Sequence, residues 1–148
     1  MCIRDRIIGE GSERVPLQQL AERLGVAGNV FMPGFQSDVA PWMSHADLFV
    51  LSSRSESLPN SLLEAVACHC PVIAIQHPGG TQEAITNLGL TDRWVPSLTP
   101  WDPDWFTRPD SSVREKLVLR YHWQQIVSEY EQLFLEVAGL SQSRRSAA

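Results

Sequence analysis

Two carboxylates, Glu56 and Glu64, stand eight positions apart in SESLPNSLLEA, with Pro59 between them. An apolar run, ADLFVLSS, ends just before the first, and the second lies inside NSLLEAVAC, whose apolar spacing reads as a helix. Acids at such a strand-to-helix join can accept charge-assisted hydrogen bonds from ligand hydroxyls, each worth about 1.5–3 kcal/mol. They cannot hold a phosphate, because like charges repel. The helix start can: Pro59 suits the first turn, and free N–H groups of Asn60, Ser61 and their neighbours would form an anion site. Alcohols flanking a diphosphate would satisfy both features, and a nucleotide sugar carries its groups in that order. On spacing alone, a capping acid at Glu56 and an ordinary helix glutamate at Glu64 explain the pair equally well.

The elements that must position these groups alternate. Apolar, β-rich runs fall at Ile7–Ile8, Val30–Met32, Leu48–Leu51 and Val72–Ile75. Between them Leu17, Leu20, Ala21 and Leu24 share one helical face, as do Leu62, Leu63, Val66 and Ala67. Val39, Trp42, Met43 and Ala46 predict a short third helix, capped by Ser37 or Asp38. Gly25, Gly34 and Gly79–Gly80 punctuate the joins. Strands alternating with helices of this length predict a doubly wound α/β fold with a parallel sheet. In such a sheet ligands bind beyond the carboxyl ends of the strands, where ADLFVLSS ends. After Thr91 the pattern gives way to a loop rich in proline and tryptophan, with a short edge strand at Arg93–Val95. Helix resumes over 111–137, broken near Tyr121–Trp123 and striped with Ile126, Tyr130, Leu133, Phe134 and Val137.

With 148 residues, 43% of them hydrophobic, the chain can build one domain with a core. A net charge of −5 argues against a nucleic-acid partner, which demands a basic face. No apolar run reaches the roughly 18 residues of a membrane span, and the charged start MCIRDR shows no export signal. Cys2, Cys68 and Cys70 make a poor disulfide framework, as suits a reducing cytoplasm. The Cys68–His69–Cys70 spacing, even with His77, fits no common zinc pattern, so buried thiols are expected and no metal. Asp102 and Asp104 in WDPDW are expected to be turn residues.

The stretch ADLFVLSSRSESLPNSLLEAVACHCPVIAIQHPGGTQEAI, residues 46–85, resembles the donor-binding segment of glycosyltransferase family 4, a group with the GT-B fold. The shared signature is two glutamates separated by seven residues, here Glu56 and Glu64. IIGEGSERVPLQQLAERLGVAGNVFMPGF and YHWQQIVSEYEQLF resemble the family's upstream stretch and closing helix. The resemblance implies the C-terminal, Rossmann-like half of a GT-B enzyme that transfers a hexose-type sugar from a nucleotide diphosphate sugar with retention. Neither cofactor nor catalytic metal is expected. Glu56 would be the catalytic-site contact with the transferred sugar and Glu64 would grip the ribose. Amides around Ser57, Leu58 and Asn60 would approach the sugar and diphosphate. Phe31, Met32, Pro33 and Gly34 would line the base, while Gly9 and Gly11 would let the first loop come close. Glu83 is as well explained as a helix-start acid as by ligand contact.

The chain also departs from the family pattern. The expected organisation is a non-matching start at 1–6, a partial nucleotide-sugar domain at 7–137 and a frayed tail at 138–148. The first strand and helix of the donor domain are expected to be missing, with the arginine and lysine the family brings to the diphosphate. Arg14 and Arg54 match neither. A fragment is therefore expected, inactive and aggregating by itself. A glycan or lipid-linked acceptor would bind a missing N-terminal domain. The parent is expected in the cytoplasm, including the inner membrane face, with peripheral membrane association. His69 replaces the usual glycine after the second helix, which predicts a left-handed residue there at about 1 kcal/mol. A catalytic His69 is the sharper alternative, and His45 is expected to end a helix. The late tryptophans suggest an acceptor or interdomain contact. Alternative readings are the half of a GT-B sugar-nucleotide epimerase and a non-catalytic nucleotide-binding module resembling a response regulator.

Overall fold

The computed structural model of the chain describes residues 4–138. The expected tail from residue 139, and Met1 to Ile3 of the expected start, lie outside the described residues. Two compact units emerge, Met1–Val39 and Ala40–Ala148.

In the first, β1 (Asp5–Ile8) pairs in parallel with β2 (Val30–Gly34), joined by α1 (Arg14–Arg23) and a 3-10 turn. β1 starts two residues before the apolar Ile7–Ile8, because its backbone pairs from Asp5 onward whatever the side chains. Of the expected α1 face only Ala21 is buried; Leu20 and Leu24 stay exposed, since two strands offer little surface to cover them. Gly25, at φ 68°, closes α1 while the Val26 N–H donates to the Ala21 carbonyl.

The second unit holds the core. It runs α2 (Ala40–Ser44), β3 (Phe49–Leu51), α3 (Asn60–Ala67), β4 (Val72–Ile75), α4 (Thr81–Leu88), β5 (Trp94–Val95), α5 (Ser111–Tyr121) and α6 (Trp123–Val137). The sheet order is β3-β4-β5, all parallel. β4 lies in the middle and is buried through Val72, Ile73 and Ala74, the reading its unbroken apolar run requires. Leu62, Ile73, Ile85 and Leu88 are almost wholly buried. Each such side chain is worth about 1.5–3 kcal/mol, far more than a strained helix end costs. Such an end occurs: α3 closes through His69 at φ 56°, with the Cys70 N–H on the Ala65 carbonyl and the His69 N–H on the Val66 carbonyl. Arg108 donates to the His69 carbonyl at 2.9 Å, tying the loop before α5 to this cap.

Several expectations shift. α2 begins at Ala40, beyond Ser37 and Asp38. Pro59 occupies the capping position of α3 and not its first turn. Arg93 belongs to a 3-10 turn, leaving Trp94–Val95 as the edge strand. Trp105 is buried in a 3-10 helix that contacts β4, so it serves the core and not a partner surface. Asp102 caps that helix, accepting from the Asp104 N–H, the turn role expected of it. The helix break falls at His122.

Candidate functional site

In the second unit the register Phe49↔Val72, Val50↔Ile73, Leu51↔Ala74 brings the carboxyl ends of β3 and β4 to one sheet edge. Two loops leave from it, 52–59 into α3 and 76–80 into α4. They are stitched together by a parallel bridge between Glu56 and Gly79, with the Gly80 N–H donating to the Glu56 carbonyl at 2.7 Å. Gly79 sits at φ 120°, and a Cβ there would overlap the Glu56 carbonyl oxygen. A Cβ on Gly80 would overlap the Ser57 carbonyl oxygen. Only a glycine pair permits this approach, so the backbone of Glu56 and Ser57 is held from behind.

The Glu56 side chain is held as well. Ser53 Oγ donates to Glu56 Oε1 at 2.7 Å, in a half-buried position. Glu64, in contrast, is exposed on α3 and its carboxylate accepts no hydrogen bond among the described residues; it is embedded in the helix sequence but not in the core. The N–H groups of Ser57, Leu58 and Ser61 make no hydrogen bond among the described residues. That of Asn60 does: it donates to the Leu58 carbonyl at 2.9 Å in a tight turn around Pro59. Asn60 therefore offers its side chain, not the free amide expected from the sequence. Behind the second loop, His77 bonds the Ile75 carbonyl through Nδ1 at 2.7 Å and the fully buried Thr81 hydroxyl through Nε2 at 2.9 Å. Since a carbonyl only accepts, Nδ1 carries the proton.

Beside these loops an open cleft of about 230 Å³ is lined by Ser57, Leu58, Gly80, Glu83, Arg120 and Tyr121, among others. Arg120 pairs with Glu129 at 3.1 Å and faces Glu83 at 3.9 Å. Two carboxylates against one guanidinium leave a net charge of −1 at the Arg120 side of the cleft, away from the Ser57 and Leu58 amides. Glu83 lies in the first turn of α4, where an acid complements the dipole.

The first unit assembles the remaining sequence candidates. The Gly9 N–H, at φ 128°, donates to the Gly34 carbonyl at 2.9 Å, joining the GEG loop to the end of β2. Arg14 bonds Glu10 and the Met32 carbonyl, both at 2.8 Å, so its charge is committed to holding this loop. An open cleft of about 200 Å³ includes Gly9, Gly11, Arg14 and Met32 in its lining. Phe31 is exposed, Met32 and Pro33 are half-buried, and Gly34 is buried. Elsewhere, burial pushes the Cys70 thiol up to about 11 and keeps it neutral. His45 bonds the Pro41 carbonyl at 2.8 Å, the helix-end role expected of it.

Sequence reasoning missed Ser53 as the partner of Glu56, and saw Gly79–Gly80 only as punctuation. The available signal was a glycine pair leading into a helix at the same sheet edge as an acid-bearing loop.

A strand–loop–helix edge with these features is typical of α/β nucleotide-binding enzymes. The family model for glycosyl transferases group 1 matches residues 3–97, and the chain belongs to that family. The lipopolysaccharide core biosynthesis glycosyltransferase LpsE of Rhizobium meliloti is 41% identical over 73 residues, 49% of this chain and 22% of the relative. The N-acetyl-alpha-D-glucosaminyl L-malate synthase of Bacillus anthracis is 29% identical over 143 residues, 88% of this chain and 37% of the relative. Among solved structures, the lipopolysaccharide outer core galactosyltransferase WaaB aligns with a TM-score of 0.67 at 22% identity, over 90% of this chain and 41% of that one. Anabaena HepE, in complex with UDP and glucose, aligns with a TM-score of 0.64 at 21% identity, over 93% and 41%. The fold is thus the Rossmann-like α/β arrangement of GT-B glycosyltransferases. The chain spans well under half the length of these relatives.

Proposed function

We propose that the chain is the donor-binding half of a retaining, family 4 glycosyltransferase that moves a hexose-type sugar from a nucleotide diphosphate sugar to a glycan or lipid-linked acceptor. The observation that carries this reading is the pinned Glu56, set at the carboxyl edge of β3 and β4 beside the unbonded amides of Ser57 and Leu58. In the transfer, the bond between the anomeric carbon and the diphosphate oxygen breaks and the leaving diphosphate carries off the electron pair. The acceptor hydroxyl oxygen forms the new bond to the anomeric carbon, and its proton passes to the leaving diphosphate oxygen. Charge grows on the diphosphate, and fixed N–H dipoles of the Ser57–Leu58 turn stabilise it without reorganising. Glu56 accepts from hydroxyls of the moving sugar, and Glu64, exposed on α3, accepts from the ribose diol. Gly9, Gly11 and Phe31–Gly34 supply the base-binding edge of the first unit. HepE, which shares the fold, was solved with UDP and glucose, and this favours a nucleotide sugar as donor here too. No helix among the described residues is long and apolar enough to cross a membrane. We place the parent in the cytoplasm, in peripheral contact with the membrane where its acceptor is lipid-linked.

Glu56→Ala and Glu64→Ala in the full-length parent, assayed with UDP-, GDP- and ADP-glucose, test this. Each lost charge-assisted contact lowers kcat/KM by about 10- to 100-fold on the proposed reading. Transfer at the parent's rate in both variants contradicts it.

A further inference from the structure

Four serines crowd the loop SSRSES, at positions 52, 53, 55 and 57, yet only Ser53 bonds the Glu56 carboxylate among the described residues. The loop backbone at Glu56 is already fixed by the Gly80 N–H and the Gly79 bridge. What remains free is rotation of the side chain, and the Ser53 hydroxyl removes it by donating to Oε1 at 2.7 Å. Oε2 accepts no hydrogen bond among the described residues, and no ion pair there neutralises the carboxylate, Arg54 included. The acid is thus oriented by a neutral donor, with no cation paired to it among the described residues.

We propose that Ser53 is a positioning residue for Glu56, fixing Oε1 so that Oε2 is presented to a hydroxyl of the transferred sugar. This rests on the proposed role of Glu56. The same arrangement makes Ser53 act on the sugar end of the donor and not on the nucleotide, because its side-chain partner among the described residues is Glu56. A hydroxyl donor to a charged acceptor is worth roughly a tenfold effect when lost.

The test is a double-variant cycle in the full-length parent, using whichever of UDP-, GDP- and ADP-glucose supports turnover. Ser53→Ala should lower kcat/KM about tenfold, leave affinity for the matching nucleoside diphosphate unchanged, and cause no further loss in a Glu56→Ala background. Ser53→Thr should retain activity, whereas Ser53→Val, close to threonine in size but without the hydroxyl, should behave like alanine. This last pair isolates the hydroxyl even where alanine lowers the melting temperature. Equal activity of the threonine and valine variants, or additive losses in the double variant, overturns the role of Ser53 while leaving that of Glu56 intact. Full activity of Glu56→Ala removes the site reading, and this inference with it.

Discussion

The carboxylate of Glu56 depends on neighbours that differ in how visible they are from sequence. The acid itself, its spacing from Glu64, and the Ser57–Leu58 turn are legible, because residue type and position beside an apolar run carry the chemistry. The backbone contacts that hold Glu56 are not, since they come from a loop more than twenty residues later that only folding brings alongside. Gly80→Ala is the sharpest probe of that support. Its Cβ would meet the Ser57 carbonyl oxygen, so the two loops must part, and donor affinity should fall together with about 1–3 kcal/mol of stability. Calorimetric binding and a denaturant titration measure both; an unchanged variant contradicts the clamp. Cys70 makes a second prediction. Its thiol, pushed up to about 11 by burial, leaves only about one molecule in a thousand as thiolate at pH 8. Iodoacetamide labelling, followed by mass spectrometry, should mark the half-buried Cys68 first and reach Cys70 only as the protein unfolds. Rapid labelling of native Cys70 contradicts this.

Among the elements, the left-handed position after α3 is legible only through the family resemblance, in which a glycine stands where this chain has His69; the strand–helix alternation, the buried β4 and the helix break at His122 follow from local pattern. Period and glycine placement specify them without long-range information. Asn60 and Pro59 are misplaced by one helical position in such a reading, and the cost is chemical: the Asn60 amide is spent in the turn. Helix starts are hard to fix from pattern alone, because a proline serves at the cap or just inside it. The α3 cap supplies a prediction at this scale. His69→Gly removes the strain of a left-handed side-chain-bearing residue and keeps the carbonyl that Arg108 bonds. The substitution should stabilise the protein by about 1 kcal/mol, read as a higher urea midpoint with unchanged slope. If His69 instead took part in chemistry, activity would collapse as stability rose; the fold places its role in the cap, so turnover in the parent should persist.

At the scale of the molecule, family and fold class are established by the match over residues 3–97 and by the alignment with GT-B structures. What the sequence pattern leaves out is how five parallel strands distribute, as a pair and a trio, because pairing partners in parallel sheets are distant in the chain. The site candidates divide in the same way, Gly9, Gly11 and Phe31–Gly34 in one unit and the two glutamates in the other. Acids that receive alcohols beside amides that receive a diphosphate are the central claim, and a crystal structure of the full-length parent with its intact sugar donor tests it most directly. A sugar hydroxyl is expected about 3 Å from Glu56 Oε2, a ribose hydroxyl at Glu64, and phosphate oxygens facing the Ser57 and Leu58 amides. A donor seated elsewhere, with both glutamates untouched, would contradict it.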